Sequence, residues 1–234
     1  MTARIGISSS LPNPFASNGF ALVPDVVTPR ECEDIAQRIS PSHGASGGAR
    51  NLLDESWCRT LGERIQSHPQ ISGDIPKQLR VVQCTYFEKS ASRNWLVALH
   101  QDLSIPVAER VNSPNLTGWA SKEGLHYVQP PVELLEQLVA VRLHLDECGL
   151  NDGPLTVVPC SHQFGRLAPE LCVEMRAEVG THICVAGAGS ALLMRPLLLH
   201  SSSKSKGDSR RRVLHFLFGP RELPLGLTWA CRSN

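Results

Sequence analysis

Three residues of the 234-residue chain, His100, Asp102 and His200, have the types and spacing to hold a metal ion. His100-Gln101-Asp102 ends the run Trp95-Leu96-Val97-Ala98-Leu99. On a strand, residues i and i+2 share a face with Cα atoms ~6.5 to 7 Å apart, so an imidazole and a carboxylate can reach one ion while Gln101 points away. His200 closes a mostly apolar segment beginning at Leu192, 98 residues after Asp102. Two imidazoles and one carboxylate on one side of an ion leave its other positions open, which suits non-haem Fe(II) oxygen chemistry. Eleven residues past His200, Arg211 opens the strand-like run Arg211-Arg212-Val213-Leu214-His215-Phe216-Leu217. A buried guanidinium there could hold the distal carboxylate of a keto-acid cosubstrate in a bidentate pair.

These residues need a scaffold, and the pattern around them describes one. Thr28-Pro29-Arg30-Glu31 supplies an N-cap hydroxyl, a proline at the first helical position and a glutamate three residues after the cap, so a helix is expected from about Pro29 to Ile39. Leu53, Trp57, Leu61 and Ile65 recur at i, i+4 as one face of a second helix. Ser8 to Asn18 reads as a loose leader and Ser42 to Gly48 as a loop. From Leu79 the signal becomes strand-like, over Leu79–Phe87, Trp95–Leu103, Val139–Asp146, Leu155–Val158, Thr181–Val185, Ser190–Met194 and Arg211–Phe218. Asn151-Asp152-Gly153-Pro154, Gly187-Ala188-Gly189 and Lys206-Gly207-Asp208 are turn signals between strands, and Pro131–Leu138 is a weak helical interruption. Helices first and short strands afterwards predict a mainly β jelly roll with N-terminal packing helices. One domain over 1–234 is expected, with a helical part at about 19–68 and a jelly-roll core at about 79–220.

Composition excludes other classes. Twenty-three Lys and Arg against twenty-two Asp and Glu leave a net charge of +1, which supplies no field for a polyanion or an acidic membrane. No run reaches the ~18 apolar residues of a membrane span, and Met1 to Phe15 lacks the apolar core of a signal peptide. A cytoplasmic protein with reduced cysteines, monomeric or homodimeric, is expected, with neither nucleic acid nor membrane as partner.

A second His-x-Asp competes with the first. In Val139–Asp146, Val139, Val141, Leu143 and Leu145 alternate with Ala140, Arg142, His144 and Asp146, so one face is apolar and the other polar. Either the polar face is solvated, or the apolar face lies under the helices and Arg142 and His144 point inward, where they could touch substrate or cosubstrate. His162 reads as a turn brace, His215 as a paired strand residue, and Trp57 and Trp95 as core. Arg210, Arg211 and Arg212 cannot be sorted by alternation, because both faces of their strand carry apolar residues.

Taken in order, Asn18-Gly19-Phe20-Ala21-Leu22-Val23-Pro24, Asn94-Trp95 to His100-Gln101-Asp102, Gly118-Trp119, Asn151-Asp152-Gly153-Pro154-Leu155, Pro159-Cys160-Ser161-His162 and His200 with Arg211 make the chain similar to the phytanoyl-CoA dioxygenase family of Fe(II)/2-oxoglutarate oxygenases. Cys160 stands where that family usually has glycine. The resemblance implies a double-stranded β-helix of the cupin-like type, in which His100, Asp102 and His200 ligate Fe(II). Arg211, assisted by Ser202, would hold 2-oxoglutarate, and Lys89 and Trp119 would line its pocket. It also implies O2 as cosubstrate, ascorbate as a reductant in vitro, and hydroxylation of an unactivated C–H bond with release of succinate and CO2. A carboxylate at Asp102 leaves less room for a halide, so hydroxylation is expected over halogenation. The alternative is a non-catalytic or 2-oxoglutarate-independent cupin-like metal-binding module. The long polar segment Leu103–Gln129 is expected to be a lid, and the substrate a small free molecule such as an amino acid or a natural-product intermediate.

Overall fold

The structure, a computed structural model, describes residues 14–39, 48–207 and 210–231. Residues 8–13 of the leader, 42–47 of the loop between the first helices, and Asp208 of its turn lie outside them.

The chain opens with a short helix α1 (Pro14–Asn18), strand β1 (Phe20–Val23) and helix α2 (Pro29–Arg38). The capping signal of α2 is realised reciprocally, since Thr28 Oγ1 accepts the Glu31 N–H at 3.3 Å and Glu31 Oε2 accepts the Thr28 N–H at 2.8 Å. After a two-residue strand β2 (Gly48–Ala49) comes α3 (Ser56–Gln66), whose Cys58, Leu61, Gly62 and Ile65 are buried. The following strands are β3 (Leu79–Lys89), β4 (Val97–His100), β5 (Ile105–Val107), β6 (Thr117–Lys122) and β7 (Leu125–Gln129). One turn of helix, α4 (Val132–Leu135), precedes β8 (Val139–His144) and β9 (Leu155–Val157). Helix α5 (Pro169–Val179) then leads to β10 (His182–Cys184), β11 (Ala191–Met194), β12 (His200–Ser202) and β13 (Arg211–Pro220).

These strands form an antiparallel sheet in the order β1-β11-β8-β13-β3-β2 and a second in the order β10-β9-β12-β4. Neighbours from distant parts of the chain alternate in both, as a double-stranded β-helix requires. The six-stranded sheet is covered on one face by the helices. Phe15, Ile35, Leu61 and Ile65 share one apolar cluster with Val139, Val141, Leu143, Leu145, Leu214, Phe216 and Phe218. A second cluster fills the interior between sheets, with Val82, Ala140, Leu155, Val157, Leu192, Met194, Leu198 and Leu217. Adjacent residues of β8 and β13 therefore serve opposite faces, as the period of two demands.

The predicted helices and all seven predicted strands are present with shifted ends. Trp95–Leu103 shortens to Val97–His100, because Asp102 leaves the ladder and donates its N–H to Pro196 O at 2.9 Å. Leu103–Gln129 departs from expectation: β5, β7 and β6 form a three-stranded antiparallel sheet rather than a loop. β6 and β7 pair as a local hairpin across Glu123-Gly124, both at positive φ, while β5 joins from further back in the chain; β6 is largely exposed, so it shows little alternation to read. Among the described residues, no helix is long and apolar enough to cross a membrane.

Candidate metal centre and cosubstrate cavity

His200 and His100 face each other across the β12–β4 ladder, with ring centres 4.2 Å apart. Asp102, just beyond β4, places its two carboxylate oxygens 3.5 Å from His100 Nε2 and 3.6 Å from His200 Nε2. One ligand atom from each residue lies within 4.8 Å of the others, and among the described residues no other group of three His, Cys, Asp or Glu does so. Each ring is turned by its own backbone: His100 Nδ1 sits 2.8 Å from Ala98 O and His200 Nδ1 2.8 Å from Leu198 O. A carbonyl only accepts, so Nδ1 carries the proton and Nε2 keeps its lone pair for a cation. Burial pushes His200 down to about 4, which leaves it unprotonated at neutral pH. Burial by itself would raise the Asp102 carboxyl, but the facing imidazoles hold it well below the usual carboxylate range. The donor set thus fits a divalent metal.

Residues beside the candidate ligands act as anchors. Gln101 points away from the centre, as expected, donating from Nε2 to Gly165 O and Leu197 O, both at 2.7 Å, and accepting the Leu167 N–H at 2.9 Å. It ties the β4 ligands to the segment entering His200. Ser161 Oγ donates to Val158 O at 2.7 Å and accepts the Leu199 N–H at 2.8 Å, so the Pro-Cys-Ser-His segment pins the residue before His200. Cys160 begins this turn at φ 64°, the left-handed conformation that glycine adopts without strain.

A cavity of about 400 Å³ opens beside His100, Asp102 and His200. Arg211 and Lys89, paired across the β13–β3 ladder, line it and are both buried. Lys89 Nζ donates to Ser202 Oγ and Ser203 O, each at 2.6 Å, and burial, then Arg211 and Arg142, bring it down to about 8. Arg211 donates to Gly153 O, while its Nε is buried without a partner. Gly153 has φ 64°, and a Cβ there would lie 2.5 Å from Ser203 O, so the Asn-Asp-Gly-Pro turn needs glycine to bring this carbonyl to Arg211.

Ladder position sorts the three arginines. Arg210 leaves the cavity to pair with Glu88, Arg212 pairs with Asp146, and Arg211 alone turns inward. The apolar face of β8 does lie under the helices, so Arg142 faces the cavity. His144 shares that polar side but does not line the cavity; burial, then Arg142 and Arg211, push it down to about 3. Asp146 is held by Arg212 and the second His-x-Asp is not assembled.

Trp119, expected at the cosubstrate pocket, stands elsewhere. It sits beside a bulge of β6, packs on interior apolar residues under the Arg110 guanidinium (5.1 Å to the ring centre), and does not line the cavity. The tryptophan that does is Trp95, read from sequence as core, with Lys89 Nζ 5.6 Å from its ring centre. His215, read as a paired strand residue, also lines the cavity, as do Gln83, Thr85 and Phe87 on β3. Alternation along β3 and β13 carries this signal, once one inward residue of each is known.

The profile of the phytanoyl-CoA dioxygenase (PhyH) family matches residues 15–213, which include His100, Asp102, His200 and Arg211. The chain belongs to the phytanoyl-CoA dioxygenase family. Solved structures of the same fold include apo HygX from Streptomyces hygroscopicus, 18% identical over 88% of this chain and 83% of that one, TM-score 0.59. EctD from S. alaskensis is 15% identical over 91% and 78%, TM-score 0.63. SnoN, a non-heme alpha-ketoglutarate-dependent epimerase from nogalamycin biosynthesis, is 16% identical over 91% and 84%, TM-score 0.64. At these identities the likeness concerns the fold. Among curated protein sequences none matches significantly. Within this phytanoyl-CoA dioxygenase fold, the candidate ligands His100, Asp102 and His200 lie at the end of the four-stranded sheet and the buried cations on the six-stranded one, with the cavity between them.

Proposed function

We propose that the protein is an Fe(II)- and 2-oxoglutarate-dependent dioxygenase that hydroxylates an unactivated C–H bond of a small molecule and releases succinate and CO2. The observation that carries this reading is the convergence of His100, Asp102 and His200 at one end of a cavity that also holds Arg211 and Lys89. Iron bound by the triad would supply oxygen activation coupled to oxidative decarboxylation of 2-oxoglutarate. The chain's own residues do the rest. Arg211 and Lys89 offer two cations to a dicarboxylate, Ser202 fixes the Lys89 ammonium, and the apolar walls from Val97, Leu103, Leu155 and Leu217 limit water. Family membership supports the reading, as do HygX structures, one with iron bound and one with nickel, 2-oxoglutarate and hygromycin B.

Neighbours described as an epimerase and a carbocyclase make the outcome of oxidation a separate question from cosubstrate turnover. Protein loaded anaerobically with Fe(II), then given O2, ascorbate, 2-oxoglutarate and candidate small molecules, should form succinate in an iron-dependent manner. The product should be 16 mass units heavier than the substrate, one oxygen atom gained. A product of unchanged mass, or one lighter by two hydrogens, would replace hydroxylation by epimerisation, or by desaturation or ring closure. Iron binding with no 2-oxoglutarate turnover under any condition would favour a cupin-like metal-binding module.

A further inference from the structure

The cavity contains a third buried cation that the proposed reaction leaves unused. Arg142 is 8% exposed, and among the described residues no carboxylate lies within ion-pair distance of it. Its contacts are a hydrogen bond from Nη1 to His215 Nδ1 at 3.3 Å and the Phe87 ring, whose centre is 5.7 Å from the guanidinium carbon. An arginine has no lone pair to offer, so it donates here, and the His215 proton resides on Nε2. Burial, with Arg142 beside it, pushes His215 down to about 3, so the ring stays neutral and cancels no charge. Arg142 Nε is buried with no partner. With Nη1 engaged by His215, the edge left open is Nε and Nη2, the pair of parallel N–H groups that matches the two oxygens of a carboxylate.

Charge in the cavity favours the same conclusion. Of the five cations in the lining, Lys89, Arg142 and Arg211 are buried, Arg50 is paired with Glu123 and Lys122 is exposed, and Asp102 is the single carboxylate in the lining. For the three buried cations and Asp102, adding a divalent metal and a dianionic cosubstrate leaves a net charge of +2 without a counter-ion. An isolated buried charge is costly, so the site is built for a further anion.

Resting on the Fe(II)/2-oxoglutarate reading, we propose that Arg142, positioned by His215, docks an anionic group of the primary substrate, a carboxylate or an equivalent oxyanion. The substrate class is then a small organic acid, and a zwitterionic amino acid belongs to it through its carboxylate. Arg142 holds the acid while the Fe(II) ligands and Arg211 serve the cosubstrate, so each anion has its own guanidinium.

The test uses the full chain with Ni(II) and saturating 2-oxoglutarate, titrated calorimetrically with acids and their matched amides: phenylacetate and phenylacetamide, hippurate and hippuramide, N-acetyl-leucine and its amide. At least one acid should bind about tenfold or more tightly than its amide. Arg142→Gln should abolish that preference while leaving the 2-oxoglutarate dissociation constant within about threefold of wild type, and Arg142→Lys should retain part of it. Relief of the unpaired charge should also leave ligand-free Arg142→Gln at least as heat-stable as wild type, so a folding defect is visible as a lowered Tm. No acid preference anywhere in the panel, or a preference that survives Arg142→Gln, overturns the proposal. A loss of 2-oxoglutarate affinity with acid binding unchanged assigns Arg142 to the cosubstrate and overturns it too. If wild-type protein binds no 2-oxoglutarate, the proposed function has failed instead, and the same acids titrated onto the Ni(II) protein still decide the role of Arg142.

Discussion

Arg212 closes on Asp146 with two side-chain hydrogen bonds, Nε to Oδ2 at 2.8 Å and Nη2 to Oδ1 at 2.6 Å, and its backbone N–H reaches Oδ2 at 2.8 Å. The carboxylate of the second His-x-Asp is thereby committed to a structural pair on the outer side of the six-stranded sheet. His144, on the opposite side of β8, cannot share an ion with it, because residues i and i+2 meet on one face only where the strand continues regularly.

Iron retention separates the two strands. His144→Ala and Asp146→Ala should bind Fe(II) anaerobically with near-normal affinity, whereas His100→Ala, Asp102→Ala and His200→Ala should each lose orders of magnitude, beyond the ~10- to 100-fold of a lost supporting partner. Asp146→Ala should in addition lower the melting temperature, since a half-buried pair is broken. Iron lost in His144→Ala and kept in His100→Ala would move the metal to the other strand.

Arginine scanning of the 210–212 run tests the ladder. Arg211→Ala should weaken 2-oxoglutarate by ~2 to 5 kcal/mol, tens- to thousands-fold, as removal of a buried charge-assisted pair does. Arg210→Ala and Arg212→Ala, whose guanidinium groups reach Glu88 and Asp146 outside the cavity, should change it little. An equal effect of all three would show that net charge, not the inward side chain, holds the cosubstrate.

Lys89 makes the same affinity pH-dependent. The protonated form binds a dianion, and burial with Arg211 and Arg142 lowers its pKa to about 8. Affinity should therefore be flat below about pH 8 and weaken above it as the ammonium deprotonates in the free protein. Lys89→Met should bind more weakly and without this slope. A wild-type profile that strengthens with rising pH would remove Lys89 from the binding set.

Cys160 sits at φ 64° where the family pattern has glycine. A side chain in the left-handed region costs ~1 to 2 kcal/mol, and the Cys160 thiol makes only a long contact to Asn18 Oδ1 at 4.0 Å in return. Cys160→Gly should raise the melting temperature by about 2 to 4 °C, the shift that ~1 kcal/mol gives in a chain of this size. A lowered melting temperature would show that the thiol contributes packing that outweighs the strain.

The sequence by itself determined what depends on neighbours along the chain. The α2 cap needs only Thr28 and Glu31 three residues apart, the i, i+4 face of α3 needs only its own turns, and His100 and Asp102 are close whichever strand lies beside them. The set His100, Asp102, His200 and Arg211 was legible in a different way, through the resemblance of its residue types and their order to a family pattern, since His200 lies 98 residues past Asp102. Tertiary structure decided everything that depends on which side faces which layer. Arg142 became a cavity residue only because the helices cover the apolar side of β8, and Arg211 was chosen among three arginines by its register opposite Lys89. The β6–β7 hairpin is local and went unread because β6 is largely exposed, whereas β5 gained its place beside β7, His215 and Trp95 a place in the cavity, and Trp119 a place outside it, through pairings between distant segments. Such pairings repay loop closure only when the whole barrel forms, so no local window of sequence contains them.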